Sequence, residues 1–267
     1  MFMLYTAIFF ILGLIIGSFL NVVIFRLNTR KSFFGSFGGR STCMVCQSKL
    51  YWYELIPLFS FLALRGRCRT CKTKISIQYP FVELATGFIF ASLFLKFQDI
   101  FFLNVLSFSF TCAYYAVMFS ILIVIAAYDL RHKIIPDILA LIFSILAFLG
   151  LFLFQGNIFS SHFPTLLEFL SGLFVAFPFA FFWLISGGRW MGLGDAKLAL
   201  GLGWMLGLAS GLAALVLAFW SGAIIGVMLI LLRRGYKMKS ELPFAPFLIF
   251  GALLAFFFPL PLFLFGF

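Results

Sequence analysis

Charged residues are scarce in this sequence. Only 10% of the 267 residues are charged, whereas 64% are hydrophobic. A water-soluble globular domain needs more polar surface than this composition provides, so that class is excluded. Apolar runs of about 18 residues or more recur along the chain, and each is long enough to cross roughly 30 Å of hydrocarbon. The sequence therefore predicts an all-α polytopic membrane protein.

Carboxylates are scarcer still, with eight Asp and Glu against 19 Lys and Arg and a formal net charge of +11. Such an excess can indicate a nucleic-acid partner. Here, however, the basic residues cluster between apolar runs, where they set the orientation of membrane helices. No nucleic-acid partner is therefore expected. The apolar segment 1–25 also lacks a basic start and a small-residue cleavage site, so we expect it to remain as a membrane helix with its N-terminus outside.

The apolar runs divide into about eight transmembrane helices. They cover residues 3–25, 80–97, 101–128, 134–154, 165–186, 197–209, 210–232 and 245–266. With the N-terminus outside, every Lys and Arg except Lys96 then falls in a cytosolic segment, at 26–79, 129–133, 187–197 or 233–244. This distribution follows the positive-inside rule. Glycines that recur every fourth residue predict close helix packing, namely Gly13 with Gly17, Gly222 with Gly226, and Gly203, Gly207 and Gly211.

One cytosolic segment, 26–79, is long and polar enough to form a separate module between the first helix (1–25) and the remaining membrane domain (80–267). It carries two C-x2-C pairs, Cys43 with Cys46 and Cys68 with Cys71. This arrangement suits a tetrahedral zinc site, and the metal would hold together a module too small to be stable through its core alone. Two disulfides are the competing interpretation, which a reducing cytosol disfavours.

Basic side chains surround the second cysteine pair, at Arg67, Arg69, Lys72 and Lys74. They offset the negative charge of a zinc ion with four thiolate ligands, and they could also contact anionic lipid headgroups.

Two aspartates at helix ends are candidates for chemistry, because charge near a membrane span is costly. Asp129 ends the third span, where the helix dipole disfavours a carboxylate. Asp195 begins the sixth span behind Gly192 and Gly194, which permit close approach of another chain segment. Both aspartates lie at cytosolic ends, and two carboxylates that share a proton can activate water. Helix capping is an adequate alternative for Asp195 alone, and Asp137 after Pro136 fits a helix start.

Several motifs resemble those of the type IV prepilin peptidases, which are membrane aspartic proteases of the GxGD type. The resemblance covers nearly the whole chain, in "GSFLNVVIFRL", "ELIPLFSFLALRGRCRTCKTKISIQYPFVELATG", "DLRHKIIPD", "GLGDAKL" and "LPFAPFL". It implies that Asp129 and Asp195 are the catalytic aspartates and that Gly192, Gly194 and Lys197 support the catalytic loop. Asn28 stands where a proline is common in the family, and "CMVC" lacks the proline often found inside the first cysteine pair. Neither change affects the aspartates.

The resemblance implies an endopeptidase that removes the leader peptide from type IV prepilins or pseudopilins. Cleavage would occur at the cytosolic face of the bacterial inner membrane, among membrane lipids. Many family members also methylate the new N-terminus with S-adenosylmethionine, and Glu83 is a candidate for a role in methyl transfer or substrate binding. A helix-start carboxylate is the alternative for Glu83.

Two other functions stay open on the residues alone. An ion- or proton-coupled transporter would use Asp129 and Asp195 as intramembrane sites, although both lie near helix ends and no inverted repeat is evident. An assembly factor would use only its zinc module.

Overall fold

A computed structural model describes residues 2–27, 41–43, 45–155, 158–189, 191–232 and 242–258. These ranges contain eight α-helices: α1 (Phe2–Arg26), α2 (Phe59–Ala63), α3 (Gln78–Leu103), α4 (Val105–His132), α5 (Asp137–Leu153), α6 (Leu166–Ser186), α7 (Leu193–Leu232) and α8 (Ala245–Phe257). A 3₁₀ turn covers Trp52–Leu55. The strands β1 (Phe154–Gln155) and β2 (Ile158–Phe159) pair in antiparallel fashion.

Five of the described helices, α1, α3, α4, α6 and α7, are long and apolar enough to cross a membrane, and α5 and α8 are shorter apolar helices. The 40-residue helix α7 is interrupted at Gly207, which has φ 78° and ψ 173°. It therefore consists of two helices, as expected for the sixth and seventh spans. Counted with the six apolar helices α1, α3, α4, α5, α6 and α8, the two halves of α7 bring the number of described apolar helices to eight. The predicted fold class, a polytopic helical membrane protein with a cysteine module between its first two spans, is confirmed.

The interruption at Gly207 corrects one prediction about the repeated glycines. A Cβ atom at Gly207 would meet no heavy atom within 4 Å, so this glycine does not serve close packing. Its backbone conformation is one that residues with a side chain rarely adopt. Gly13 and Gly203, by contrast, lie where a Cβ would approach the backbone of a neighbouring helix to within 2.7 Å. The packing prediction is confirmed for these two positions.

The boundary between the second and third spans also differs from the prediction. Residues 98–100, expected as an outer loop, are helical, and only Asn104 separates α3 from α4. The Asn104 side chain accepts hydrogen bonds from the backbone N–H groups of Leu106 and Ser107, which makes it the N-cap of α4. A side chain that satisfies the free donors of a new helix fixes where that helix begins. Hydropathy does not detect an N-cap, so the third span was predicted to begin at residue 101, four residues before α4 begins.

The chain forms two compact units, Met1–Leu103 with Cys112–Ala127, and Asn104–Thr111 with Tyr128–Phe267. In the first unit α1 and α3 pack in antiparallel fashion. Contacts run in order along both helices, from Phe2 with Phe102, through Phe9 with Phe94 and Gly17 with Glu83, to Phe25 with Tyr79. The end of α1 and the start of α3 therefore lie at the same end of the pair, and the segment 41–77 joins them there.

In the second unit α7 is the central helix. Gly201 approaches Phe143 of α5, Gly203 approaches Gly172 of α6, and Gly251 of α8 approaches Ala214. A buried hydrogen bond of 2.9 Å from Ser171 Oγ to the Gly203 carbonyl also ties α6 to α7. The start of α7, where Asp195 lies, is thus held by helices that flank it.

Candidate active site and metal centre

Asp129 lies in the last turn of α4 and is 4% exposed. The turn is closed by Lys133, whose left-handed backbone lets its N–H donate to the Asp129 carbonyl at 2.7 Å. Asp195 is the third residue of α7 and is half-buried. Its backbone N–H donates to the Gly192 carbonyl at 3.3 Å. Both aspartates therefore lie at helix ends, as predicted.

The structure brings the two aspartates together within the second unit. Their carboxyl groups are close enough to interact electrostatically. The connection between α4 and α5 explains this proximity, because Ile135 in that connection packs on Gly194. A Cβ at Gly194 would lie 3.0 Å from the Ile135 Cβ. Gly194 thus permits the close approach expected from the sequence, whereas a Cβ at Gly192 would lie 3.8 Å from Asp195 Oδ2, an ordinary contact.

Lys197 connects the start of α7 to the start of α5. Its Nζ lies 2.6 Å from Asp137 Oδ1, and its carbonyl accepts a hydrogen bond of 3.1 Å from Ser144 Oγ. Asp137 is the first residue of α5, as the sequence indicated, and the lysine is its partner. Both side chains of the ion pair are exposed, so its contribution to stability is at most about 1 kcal/mol. The carbonyl bond and the Ile135 contact carry most of the positioning.

One contact of Asp129 was not predicted from the sequence. The backbone N–H of Ala245, the first residue of α8, donates to Asp129 Oδ2 at 3.2 Å, and Ala245 is fully buried. The first N–H groups of a helix have no partner within the helix, so they are available to a carboxylate. The available signal was the motif "LPFAPFL", in which Pro246 marks a helix start. Nothing in the motif named Asp129 as the acceptor.

The four cysteines of the module come together. The Sγ atoms of Cys43, Cys46, Cys68 and Cys71 all lie within 4.8 Å of one another, and no disulfide joins them. Two of the separations are 3.8 Å, Cys43 to Cys71, and 4.0 Å, Cys46 to Cys68. Tetrahedral zinc with Zn–S bonds of about 2.3 Å requires S···S separations of about 3.8 Å. The cluster is therefore close to the geometry of a tetrahedral metal site, and small side-chain shifts would complete it.

The two cysteine pairs are built alike. Cys43 and Cys68 each accept a backbone hydrogen bond from the residue four positions later, Gln47 and Lys72, and both of these residues have left-handed backbones. A hydroxyl then lies near the second sulfur of each pair. Ser48 Oγ at 3.0 Å lowers the pKa of Cys46, and Thr73 Oγ1 at 3.3 Å lowers the pKa of Cys71 to about 6. Thiolates are the form that binds metal.

Glu83 belongs to the first unit, whereas both aspartates belong to the second. It is 6% exposed and five residues into α3, and its Oε2 accepts a hydrogen bond of 2.9 Å from the backbone N–H of Leu58. Leu58 has φ 59°, which is unusual for a leucine. The glutamate thus bonds to a remote segment instead of the N-terminus of its own helix.

Two family models match the chain. The Bacterial Peptidase A24 N-terminal domain matches residues 11–97, and the Type IV leader peptidase family matches residues 116–227. Among the curated relatives is a protein of Xanthomonas campestris pv. campestris named "Prepilin leader peptidase/N-methyltransferase". It is 34% identical over 269 residues, which are 92% of this chain and 88% of the relative.

Two further relatives carry the same name. One from Bacillus subtilis is 34% identical over 254 residues, 94% of this chain and 93% of the relative. One from Myxococcus xanthus is 34% identical over 243 residues, 89% of this chain and 67% of the relative. No solved structure matches the chain. The helices, the paired aspartates and these relatives lead to one conclusion: the chain belongs to the type IV leader peptidase family.

Proposed function

We propose that the protein is a membrane aspartic endopeptidase that removes leader peptides from type IV prepilins or pseudopilins, and that Asp129 and Asp195 are its catalytic residues. The observation that carries the proposal is the placement of these two carboxyl groups within electrostatic reach of each other at helix ends. Family membership disfavours both the transporter and the assembly factor as alternatives.

In this mechanism one aspartate is ionised and the other holds a proton. The ionised carboxylate takes a proton from water as the water oxygen attacks the scissile carbonyl carbon. The protonated partner then supplies a proton to the leaving amine as the C–N bond breaks. Because Asp129 Oδ2 accepts the Ala245 N–H, Oδ1 is the oxygen of Asp129 that exchanges the proton. Ala245 therefore orients Asp129.

The proposed orientation places the N-terminus outside and the active site at the cytosolic face of the bacterial inner membrane. The support is the charge distribution, in which the described ends of α4 and the start of α7 carry Arg131, Lys133 and Lys197. Substrate helices in the surrounding lipid would then present their leader boundary level with the aspartates.

The proposed metal is a structural zinc ion held by Cys43, Cys46, Cys68 and Cys71. Among the described residues of 41–77 the one buried apolar residue is Cys68. This segment therefore has no apolar core of its own, and a metal ion would supply the cross-link that a core normally provides. When bound, zinc would join the two cysteine pairs, and the hydroxyls of Ser48 and Thr73, which lower the pKa of Cys46 and Cys71, favour the thiolates that bind it.

The second proposed activity is methylation of the new N-terminus with S-adenosylmethionine, to which Glu83 contributes. Its bond to Leu58 suits a positioning role. Glu83→Gln keeps a carbonyl oxygen for the Leu58 N–H, whereas Glu83→Leu does not. If Glu83 positions Leu58, the Gln variant keeps methylation and the Leu variant loses it. Loss of methylation in the Gln variant, with cleavage retained, would instead assign Glu83 a direct role.

The test of the peptidase is coexpression with a candidate prepilin, followed by mass spectrometry of the mature N-terminus. Asp129→Asn and Asp195→Asn should each abolish cleavage at normal protein levels, because an amide cannot take up the proton. A positioned acid–base group contributes roughly a hundredfold or more, so residual activity above about a tenth in either variant would reject the pair.

Asp137→Asn is the matched control for these variants. It changes a carboxylate near the same site that pairs with Lys197 but takes no part in proton transfer, so it should cleave at close to the wild-type rate. Strong loss in this control would show that the assay reports local structure and not proton transfer.

A further inference from the structure

Part of the cysteine module lies alongside the first turns of α3. The module joins Arg26 to Gln78 at one end of the α1–α3 pair. Leu58, in the middle of the module, is bonded to Glu83, which is five residues along α3 from Gln78. Five residues of α-helix correspond to about 7.5 Å along the axis. The segment around Leu58 therefore lies beside the first turns of a membrane-spanning helix.

Large apolar side chains near Leu58 are exposed. In α2, which starts directly after Leu58, Phe59 is 66% and Leu62 is 73% exposed. In the preceding 3₁₀ turn Trp52 is 77% exposed. The start of α3 continues the surface with exposed Ile77 and Phe81. A membrane span faces lipid on its apolar exposed side, and tryptophan is enriched where hydrocarbon meets headgroups. Through the bond from Leu58 to Glu83, the exposed apolar side chains of α2 therefore lie near the lipid-facing start of α3.

The charge of the module complements an anionic surface. Glu54 is the single acidic residue within 41–77, against six exposed basic residues, Lys49, Arg65, Arg67, Arg69, Lys72 and Lys74. A cavity of about 450 Å³ in the module is lined by Ser48, Lys49, Leu50, Tyr51, Arg69 and Thr70. The Arg69 guanidinium stacks 4.6 Å above the Tyr51 ring, and its Nε lies 3.4 Å from Glu54 Oε1; these two contacts hold it at the cavity. Ammonium, guanidinium and hydroxyl donors together suit a phosphate group.

We propose that the module docks on the membrane through Trp52, Phe59 and Leu62, and that the basic cavity binds the phosphate of an anionic phospholipid headgroup. The three side chains, here called the docking face, enter the boundary between headgroups and hydrocarbon. The basic residues favour anionic lipid over a basic protein segment, which they would repel. This inference rests on the membrane helices and does not depend on peptidase activity.

Photo-crosslinking of the full-length protein in vesicles tests the docking face. Benzoylphenylalanine is placed at Phe59 or at Leu62, with Phe81 as the lipid-facing positive control and exposed Val45 as the comparison within the module. We expect phospholipid adducts at 59, 62 and 81 and far fewer at 45. Adducts at 81 without adducts at 59 and 62, or adducts at 59 and 62 only to protein, would overturn the proposal.

Lipid composition tests the cavity. In phosphatidylcholine vesicles that contain about one third phosphatidylglycerol, the ratio of anionic to zwitterionic lipid in the adducts at 59 should exceed the bilayer ratio of about 1:2 roughly threefold to fivefold. Lys49→Gln should remove most of this enrichment, whereas Lys74→Gln, which changes an equal charge outside the cavity, should keep most of it. If the wild-type adducts had the same lipid composition as the bilayer, or if the two variants had equal effects, the headgroup site would be overturned.

Discussion

Two uncharged residues fix the positions of the aspartates. Gly194 lets Ile135 pack against the start of α7, and Ala245 presents its N–H to Asp129. Neither residue takes part in proton transfer. A displacement of about 1 Å at a catalytic group can nevertheless cost roughly a hundredfold in rate. The activity should therefore be sensitive to small changes at these positions.

Gly194→Ala should impair cleavage more than Gly192→Ala. The new Cβ at 194 would lie 3.0 Å from the Ile135 Cβ, so the α4–α5 connection must move, whereas at 192 the nearest atom is 3.8 Å away. We expect a loss of about tenfold or more for the alanine at 194. Prepilin cleavage rates in detergent, at matched protein levels, measure the difference. Equal rates, or a larger loss at 192, would contradict this account of the motif.

Thr73→Val should change the reactivity of Cys71 in the metal-free protein. The Thr73 hydroxyl holds the pKa of Cys71 at about 6, well below the usual value of 9.0, so the thiolate dominates at pH 7. The depressed pKa stabilises the folded module at high pH, and this contribution is lost as the pH falls from about 9 towards 6. Without the hydroxyl the pKa rises.

Alkylation of Cys71 at several pH values, followed by mass spectrometry, checks this expectation. In the wild type labelling should rise near pH 6, and in Thr73→Val the rise should move to higher pH, with several-fold slower labelling at pH 7. Thr70→Val changes a hydroxyl of the same cysteine pair and should leave the profile unchanged. An unshifted profile in Thr73→Val would reject the role of the hydroxyl.

The sequence identified the charged and sulfur-bearing residues but not the backbone atoms that bind them. Asp129 and Asp195 stand out because carboxylates are rare in this chain, and the cysteines stand out through their spacing. The bonds from Ala245 to Asp129 and from Leu58 to Glu83 span 116 and 25 positions, and their donors are main-chain groups that every residue possesses. No local pattern marks such a donor, so these contacts required the three-dimensional structure.

The break in α7 shows how one residue separates two membrane helices. At Gly207 the chain adopts φ 78° and ψ 173°, a region used almost solely by glycine. The sequence predicted two spans here from the orientation of the basic residues, but it placed the division at 209–210 and assigned Gly207 to packing. Spacing alone cannot distinguish a packing glycine from one that is needed for its backbone conformation.

Gly207→Ala should destabilise the protein, although a Cβ at this position would meet no atom within 4 Å. The cost is the backbone conformation itself, about 1–3 kcal/mol. Gly222→Ala is the matched control, because its Cβ would make an ordinary contact of 3.6 Å with Phe247 within regular helix. Thermal unfolding in detergent should show a lower midpoint for the first variant and an equal or higher midpoint for the second. An unchanged midpoint for Gly207→Ala would contradict the strained conformation.

The described part of the cysteine module depends on other parts of the molecule for its structure. Within 41–43 and 45–77 the one buried residue is Cys68. The segment is joined internally by the sulfur cluster, by backbone hydrogen bonds and by the Arg69–Glu54 ion pair, and the bond from Leu58 to Glu83 ties it to α3. The membrane helices, by contrast, bury large side chains such as Phe94, Phe119 and Phe143. The two parts should therefore respond differently to loss of the metal.

Chelation should expose the module to protease while the membrane helices stay intact. Limited proteolysis with trypsin after metal removal should cut at Arg65, Arg67, Arg69, Lys72 or Lys74, and zinc should restore protection. Cys43→Ser combined with Cys68→Ser should behave like the chelated protein even when zinc is supplied. A module that resists trypsin without metal would show that the cysteines do not hold it together.

The bond between Leu58 and Glu83 also constrains the order of biosynthesis. When Cys71 leaves the ribosome, all four cysteines of the module are accessible to metal, whereas Glu83, which lies later in the chain, is still inside the ribosome. That carboxylate reaches its place only after α3 has entered the membrane and turned back along α1. A nascent chain can therefore capture metal early, yet its α2 segment settles only after the second span has been inserted. In the proposed orientation, the insertion machinery thus acts on the maturation of a segment that it never moves across the membrane.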